Sequence, residues 1–278
     1  MTGCAAAPVH GRASRESTRE QVAPGIVYQR EVRNEPRPIV VHVVRIDLTA
    51  PGLRFLATPA DPVPPADYEI RARRTSTFLH EYNLLLAVNA NFYEPAWQHS
   101  AEDYYPKPGD GVNINGLAVS EGNVLSRSAR HHPALCITAD NRAWIESVDD
   151  VPQDVQNAVA GDVIFVRNGR VSAGGEGAHP RTAVALTEDG RTMLWIVVDG
   201  RQPNYSEGVT MPELATIAIS HGAHIALNLD GGGSSTLVRA EPDGEPSIIN
   251  SPVHVRYPPG GERAVANHLG LKVDRAGR

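Results

Sequence analysis

A chain of 278 residues that reads as one α+β domain, dominated by mixed or antiparallel β-sheet with a few helices, is predicted from three observations. Short runs of valine, isoleucine and leucine recur along it, separated by glycine, proline and asparagine, as strands bounded by turns are. One segment, Met211 to Ser220, carries the full set of helix signals: Thr210 as cap, then Pro212 and Glu213 in the first turn. The length exceeds an average domain yet suits a single large β-rich unit.

Residues 1–24 read as a flexible tail and 25–278 as the domain. The tail is rich in alanine, serine and arginine and lacks the apolar surface to offset its ordering entropy. Its Thr2-Gly3-Cys4 is similar to the end of a bacterial lipoprotein signal, which makes Cys4 a candidate lipid anchor and the setting extracytoplasmic. Strands are expected from Ile26 to Val32, Ile39 to Leu48 and Leu53 to Ala57, the opening of a β-meander. Thr75 and Ser76 are candidate caps for a helix between Arg71 and Tyr82. Leu84 to Val88 reads as a buried strand that delivers Asn89-Ala90-Asn91 to its end. An amide there needs a reason, since buried polar groups are hydrogen-bonded.

Residues 94–112 read as a long loop bearing Trp97, Tyr104 and Tyr105, a lid or wall that presents aromatic rings to a ligand. More strands follow at Ala134–Thr138, Ala143–Glu146 and Val163–Val166, the last ending in an Asn168-Gly169 hairpin turn. Cys136 lies within one of them and reads as an inert core thiol. Arg181 stands at the entrance to a strand, and Met193 to Val198 runs into Asp199-Gly200-Arg201. After the helix, Ile225 begins the stretch on which the reading centres, Ala226 to Leu237, with sequence ALNLDGGGSSTL.

In that stretch Asn228 and Asp230 are two residues apart, the spacing that puts side chains on one face of a strand. Gly231, Gly232 and Gly233 let the backbone turn sharply and let a ligand approach it. Successive N–H groups in such a run can cradle an anion, with Ser234 and Ser235 beside it. The stretch resembles the signature of the phosphodiester glycosidase family. Further elements occur in family order: the His42 strand, Asn89-Ala90-Asn91, Arg181-Thr182-Ala183, Asp199-Gly200-Arg201, and Arg263 with Asn267 near the C-terminus. Asn91 stands where the family usually has glycine.

The resemblance implies a hydrolase that cleaves the glycosidic bond of a sugar-1-phosphodiester, N-acetylglucosamine being the family's sugar, here in a bacterial envelope glycan. Asp230, Asp199 and Arg181 are the expected catalytic residues. Asn89, Asn91, Arg201, Asn228, Gly231, Gly232, Gly233, Ser234, Ser235, Arg263 and Asn267 are the expected substrate-binding residues. Paired carboxylates are the usual glycosidase device, and their spacing separates inversion from retention. Which aspartate is acid or base stays open, as does the stereochemical course. No cofactor is required, although the aspartates and nearby carbonyls would suit a hard cation such as calcium.

Composition bounds the alternatives. A net charge of −6 argues against a nucleic-acid partner, which would call for a basic face. Two cysteines exclude a disulfide framework, and no apolar run approaches the length of a membrane helix. Two other readings fit the same residues. One is a non-catalytic envelope lipoprotein that binds an anionic glycan. The other is a serine esterase using Ser234, although no G-x-S-x-G elbow surrounds it.

Overall fold

The computed structural model describes residues 14–61, 68–100, 102–127, 132–147, 151–254 and 261–274. Cys4, the candidate lipid anchor, lies outside them. The fold is mainly β: two short helices accompany three larger sheets, and every ladder between strands is antiparallel. The helical share is thus smaller than an α+β class implies.

The largest sheet has eight strands, in the order Thr18–Ala23, Ile26–Arg33, Ile39–Asp47, Thr192–Val198, Arg181–Leu186, Ile225–Asn228, Val163–Arg167 and Arg170–Val171. Alternation along its strands divides two cores, because successive side chains leave opposite faces. Val184, Leu186, Trp195, Val197 and Leu227 enter the main core. There they meet Leu53, Phe55, Leu86, Val88, Leu237, Leu269 and Leu271 from a five-stranded sheet, and Leu135, Ile137 and Val159 from another. On the opposite face Ala183, Ala185, Ile196, Val198 and Ala226 pack under helix α2 (Met211–Ser220). Burying Leu214 and Ile217 of that helix contributes about 1.5–3 kcal/mol each. The capping box expected at its start is present: Glu213 N–H donates to the Thr210 hydroxyl and the Glu213 carboxylate accepts from Thr210 N–H.

Helix α1 (Thr75–Glu81) covers the outer face of the second sheet through Phe78 and Leu79. Thr75 and Ser76 do not cap it. Its N-cap is Arg74, and the Ser76 N–H is held at 2.9 Å by the Glu262 carboxylate, a partner 186 residues away. Cys136 is buried, and its thiol is pushed up to about 12 by burial. Asn168 and Gly169 both take positive φ, as a two-residue hairpin requires. Residues 94–112 are more regular than a loop. Trp97–Gln98 pairs with Tyr104–Tyr105 in a small hairpin, and Gly111–Ile114 joins Tyr93–Glu94 and Ile70–Arg71 in a three-stranded sheet.

The tail boundary at residue 24 needs correction. Thr18–Ala23 forms the edge strand of the large sheet, antiparallel to Ile26–Arg33, and Glu20 forms an ion pair with Arg239. Most of its side chains are polar and exposed, so backbone pairing recruits it rather than burial. No hydrophobic alternation announces such a strand. Deleting residues 1–23 should therefore lower the melting temperature by about 5 °C, the scale of 1–2 kcal/mol in a domain of this size. Calorimetry would check this; an unchanged midpoint would mean that the strand adds no stability.

Candidate active site

Strand Ile225–Asn228 runs between Arg181–Leu186 and Val163–Arg167 and ends where the glycine-rich turn begins. Four backbone bonds fix the exit: Leu229 N–H to Thr182 O, Asp230 N–H to Ala90 O, Gly232 N–H to Pro180 O and Ser234 N–H to Gly231 O. Because the strand stops at Asn228, Asn228 and Asp230 part company. Asn228 Nδ2 donates to Asp162 Oδ1 at 2.9 Å, whereas Asp230 turns to the Ser234 hydroxyl and the Gly231 N–H.

Each glycine has its own steric reason. A Cβ on Gly231 would sit 2.9 Å from the Pro180 carbonyl oxygen, one on Gly232 3.2 Å from the Arg201 guanidinium, and one on Gly233 2.6 Å from that of Arg263. Gly232 also has φ +63, and Gly232–Ser234 closes a single 3₁₀ turn. Two arginines therefore lie against a backbone without side chains. Arg201 itself takes φ +57, a rare conformation for an arginine, in the tight turn after Asp199.

Asp230 is partly buried, and its loss of hydration pushes its pKa up to about 7, against the lowering effects of Ser234, Arg263 and the Gly231 N–H. Asp162 adds repulsion in the same upward direction. Tyr93, pushed up to about 12 by burial and by Asp230, lies within hydrogen-bonding reach of Ser234 and Arg263. Around these groups the charge is positive. Arg181 and Arg201 are both shifted down, first by burial, and the Arg263 charge adds to the shift of Arg201. His179 is lowered by burial and then by Arg201 and Arg181. No carboxylate pairs with the Arg201 guanidinium among the described residues.

Arg263 connects the turn to an open cleft. Its guanidinium reaches Ser234 Oγ at 3.5 Å, Gln98 Oε1 at 3.3 Å and His254 Nδ1 at 3.2 Å. The cleft, about 730 Å³, lies between the Trp97–Tyr105 hairpin and the 201–207 turn, lined by Gln98, His99, Arg201, Gln202, Glu207 and His254, among others. His254 is pushed down to about 4, by burial first and then by Arg263 and Arg74, so its imidazole is neutral.

Several expected ligand contacts are instead structural bonds. Asn89 is buried; its Nδ2 donates to Asp230 O at 2.6 Å, and its Oδ1 accepts from Thr182 Oγ1 and Thr236 N–H. Asn91 donates to Asn115 O and Leu117 O and accepts from Ala160 N–H and Asn267 Nδ2. Asn267 also accepts from His268 N–H. Asp199 is buried, with Oδ1 accepting from Asn250 Nδ2 and Ser251 N–H and Oδ2 from Tyr205, 3.0 Å from His42 Nε2. With both oxygens occupied away from the cleft, Asp199 holds the turn that carries Arg201. Arg181 donates to Val209 O and Gly177 O, and the Ser235 hydroxyl is buried without a partner among the described residues.

Asn89, Arg181, Asp199 and Asp230 therefore do not line one cleft together; Arg201 lines it, and Arg263 joins it to Asp230. Sequence reasoning missed Tyr93, Gln98, Asp162, Glu207 and His254; Tyr93 follows two residues after the Asn89-Ala90-Asn91 element, while no motif marks the other four, which only tertiary packing assembles. Ser234 meets Asp230, Tyr93 and Arg263, while His254 bonds to Arg263 rather than to the serine. Among the described residues no group of three or more His, Cys, Asp or Glu side chains gathers as a metal site would. No helix there is long and apolar enough to cross a membrane.

The family model described as phosphodiester glycosidase matches residues 82–272. No functionally curated protein matches the chain significantly. Several solved structures share the fold, among them the following three. A hypothetical protein from Synechocystis is 14% identical at a TM-score of 0.65, over 94% of this chain and 64% of that one, so this chain spans less than two thirds of its length. The catalytic domain of zebrafish N-acetylglucosamine-1-phosphodiester alpha-N-acetylglucosaminidase, auto-inhibited by its pro-peptide, is 18% identical at 0.65, over 95% and 87%. An exported-protein candidate from Burkholderia pseudomallei is 16% identical at 0.60, over 84% and 74%.

The steric role of Gly233 yields a prediction. In Gly233→Ala the new methyl meets only the end of the Arg263 side chain, so the fold should persist while the guanidinium is displaced. Affinity for inorganic phosphate, measured calorimetrically, should fall about tenfold, the worth of one charge-assisted hydrogen bond. Unchanged affinity would show that Arg263 does not bind phosphate.

Proposed function

The chain belongs to the phosphodiester glycosidase family, and from that premise we propose that it hydrolyses the glycosidic bond of a sugar-1-phosphodiester, N-acetylglucosamine-1-phosphodiester being the model substrate, in an extracytoplasmic glycan of a bacterial envelope. The observation that carries this reading is the juxtaposition of two guanidiniums on a side-chain-free turn with a carboxyl group whose pKa is pushed up to about 7. The exported-protein candidate of similar fold supports the location.

Arg201 and Arg263 hold the phosphate oxygens; arginine suits this because its planar fork can make two bonds to one phosphate. Asp230, which the Ser234 hydroxyl and Gly231 N–H approach as donors, is set up as an acceptor and takes a proton from water. Water attacks the anomeric carbon, the bond from that carbon to the phosphate oxygen breaks, and the electron pair leaves with the phosphate. A phosphate monoester departs as a weakly basic anion, so little acid assistance is needed. The arginines stabilise the charge that gathers on it. Arg181 extends the positive field; Asp199 and Asn89 act through the elements they hold.

Asp230→Asn should lower kcat/KM for a synthetic N-acetylglucosamine-1-phosphodiester by about a hundredfold or more. As a base, Asp230 should give the wild type a rate that rises with pH through about 7, a limb that the variant lacks. Release of free sugar against pH checks both. A variant within threefold of wild type, or tight glycan binding without turnover of any substrate, would sink the proposal in favour of a binding protein. Rapid aryl-ester cleavage abolished by Ser234→Ala would point to the esterase instead.

The same carboxyl has a stability signature. Below about pH 4, the ordinary carboxyl value, both folded and unfolded chains hold the proton. Between there and about 7 only the folded chain does, so stability falls as pH rises across that window and levels off above it. Asp230→Asn should flatten this slope and melt higher than wild type at pH 8. Equal midpoints at pH 8 would show that the carboxyl carries no such penalty.

A further inference from the structure

Ser234 has one proton to give and two neighbours that can take it. The residue is buried, so a protein group rather than bulk water receives that proton. On one side its hydroxyl donates to the Asp230 carboxylate; on the other it lies within hydrogen-bonding reach of the Tyr93 hydroxyl. Arg263 Nη1, which can only donate, reaches the same serine oxygen at 3.5 Å. Tyr93 has its own proton committed. Its hydroxyl donates to Ala264 O at 3.3 Å, which leaves the phenol oxygen as an acceptor, with Arg263 also in reach of it. The phenol is held in place: Tyr93 pairs in register with Ile114, and its ring belongs to a core cluster with Ile70, Val112 and Val265.

The direction of these bonds follows from the state of Asp230. An ionised carboxylate only accepts, and it takes the Ser234 proton; a protonated carboxyl has a proton of its own to give. With Ser234 still donating toward it, two protons would meet in one contact and a buried donor would lack an acceptor. Of the two donors against Asp230, the Gly231 N–H is fixed in the backbone and only the serine hydroxyl can turn. Its rotation removes the conflict. Asp230 O–H then donates to Ser234 Oγ, Ser234 O–H donates to the Tyr93 oxygen, and Tyr93 keeps Ala264 O. Every donor has an acceptor in both arrangements, and no O–H bond of serine or tyrosine breaks between them.

We propose that Tyr93 is a positioning residue of this site: it receives the Ser234 proton whenever Asp230 is protonated, and so lets that carboxyl hold a proton among buried donors. In turnover an O–H bond of the attacking water breaks, its proton ends on the Asp230 carboxyl, and the Ser234 hydroxyl turns from Asp230 to Tyr93. Its place in turnover rests on the glycosidase reading; the turn of the hydroxyl does not. The charged groups that face Asp230 are Arg263 and Asp162, and those that face Tyr93 are Asp230 and Arg263. They give the test its sign. If Tyr93 served only to hold Ala264 O, and Arg263 beside it in sequence, removing its hydroxyl would loosen Arg263. The Asp230 midpoint would then rise, because Arg263 lowers it. The relay makes it fall.

The test reads the Asp230 carboxyl itself, as the carbon resonance of carboxyl-labelled aspartate, assigned by its loss in Asp230→Asn and followed against pH. Tyr93→Phe keeps the ring in the core and removes the acceptor that only the protonated arrangement uses for Ser234. The midpoint should fall by about 0.7 of a pH unit, the worth of one neutral hydrogen bond. Ser234→Ala removes a donor to the carboxylate and should raise the midpoint. Added to Ser234→Ala, Tyr93→Phe should move nothing further, since its effect passes through the serine. The rising limb of hydrolysis against pH should shift with the same signs. An unmoved or raised midpoint in Tyr93→Phe would overturn the relay, as would an equal fall with and without the serine hydroxyl. If the resonance moves as described but no phosphodiester is hydrolysed, the relay stands and the glycosidase reading falls. If hydrolysis depends on Asp230 while Tyr93→Phe leaves the midpoint in place, the relay alone falls.

Discussion

The amide of Asn89 is the bond on which the site's geometry depends. It lies at the end of strand Leu86–Asn89 in one sheet and accepts from Thr182 of the eight-stranded sheet and from Thr236 N–H, while it donates to Asp230 O. One buried side chain thus ties two sheets together at the point where the glycine-rich turn leaves its strand. Three polar groups would lose their partner if it were gone, at about 1–3 kcal/mol for each left unsatisfied. The turn could not keep its position, and neither could the carboxyl of Asp230, whose backbone oxygen is one of the three.

Asp199 does for Arg201 what Asn89 does for Asp230. A carboxylate taken out of water must be surrounded by donors, and Asn250, Ser251 and Tyr205 surround this one, with His42 alongside. Ser206 hydroxyl donates to Asp199 O and Val40 N–H to Ser206 Oγ, so the whole 199–206 turn is laced to the neighbouring strand. That rigidity can hold an arginine at positive φ, a conformation that costs energy and persists only where its surroundings over-determine it. The carboxylate that resembles half of a catalytic pair is, in this geometry, the support for a cation.

Much of this was legible from residues alone, for physical reasons. Alternating valines and leucines gave the strands of the large sheet, and Thr210 with Glu213 gave the helix start, since both signals are local. The edge strand Thr18–Ala23 was not legible, because backbone pairing leaves no mark on side-chain pattern. Residues around the glycine turn were recognisable as polar groups at strand ends. Whether such a group faces a ligand or the protein's own backbone depends on segments up to 209 residues away in the sequence, and Asn89, Asn91 and Asn267 turned inward for that reason. Glu207 and His254 carried no signal at all: each is an isolated polar residue in a loop until the hairpin at 97–105 closes beside it.

Local and global electrostatics differ in sign here, and the difference bears on selectivity. A chain with net charge −6 repels polyanions at long range, yet it gathers Arg181, Arg201 and Arg263 around one turn. Beyond about 8 Å the overall charge is screened at physiological salt, so an anion that reaches the turn meets the arginines rather than the surplus of carboxylates. The raised carboxyl of Asp230 belongs to the same arrangement. Burial, helped by Asp162, keeps it protonated up to about neutrality, while Arg263 and the surrounding donors pull the other way. A bound phosphate would offset part of the arginine charge and raise the carboxyl further, which makes each ionised carboxylate a stronger base but leaves a smaller fraction ionised at neutral pH.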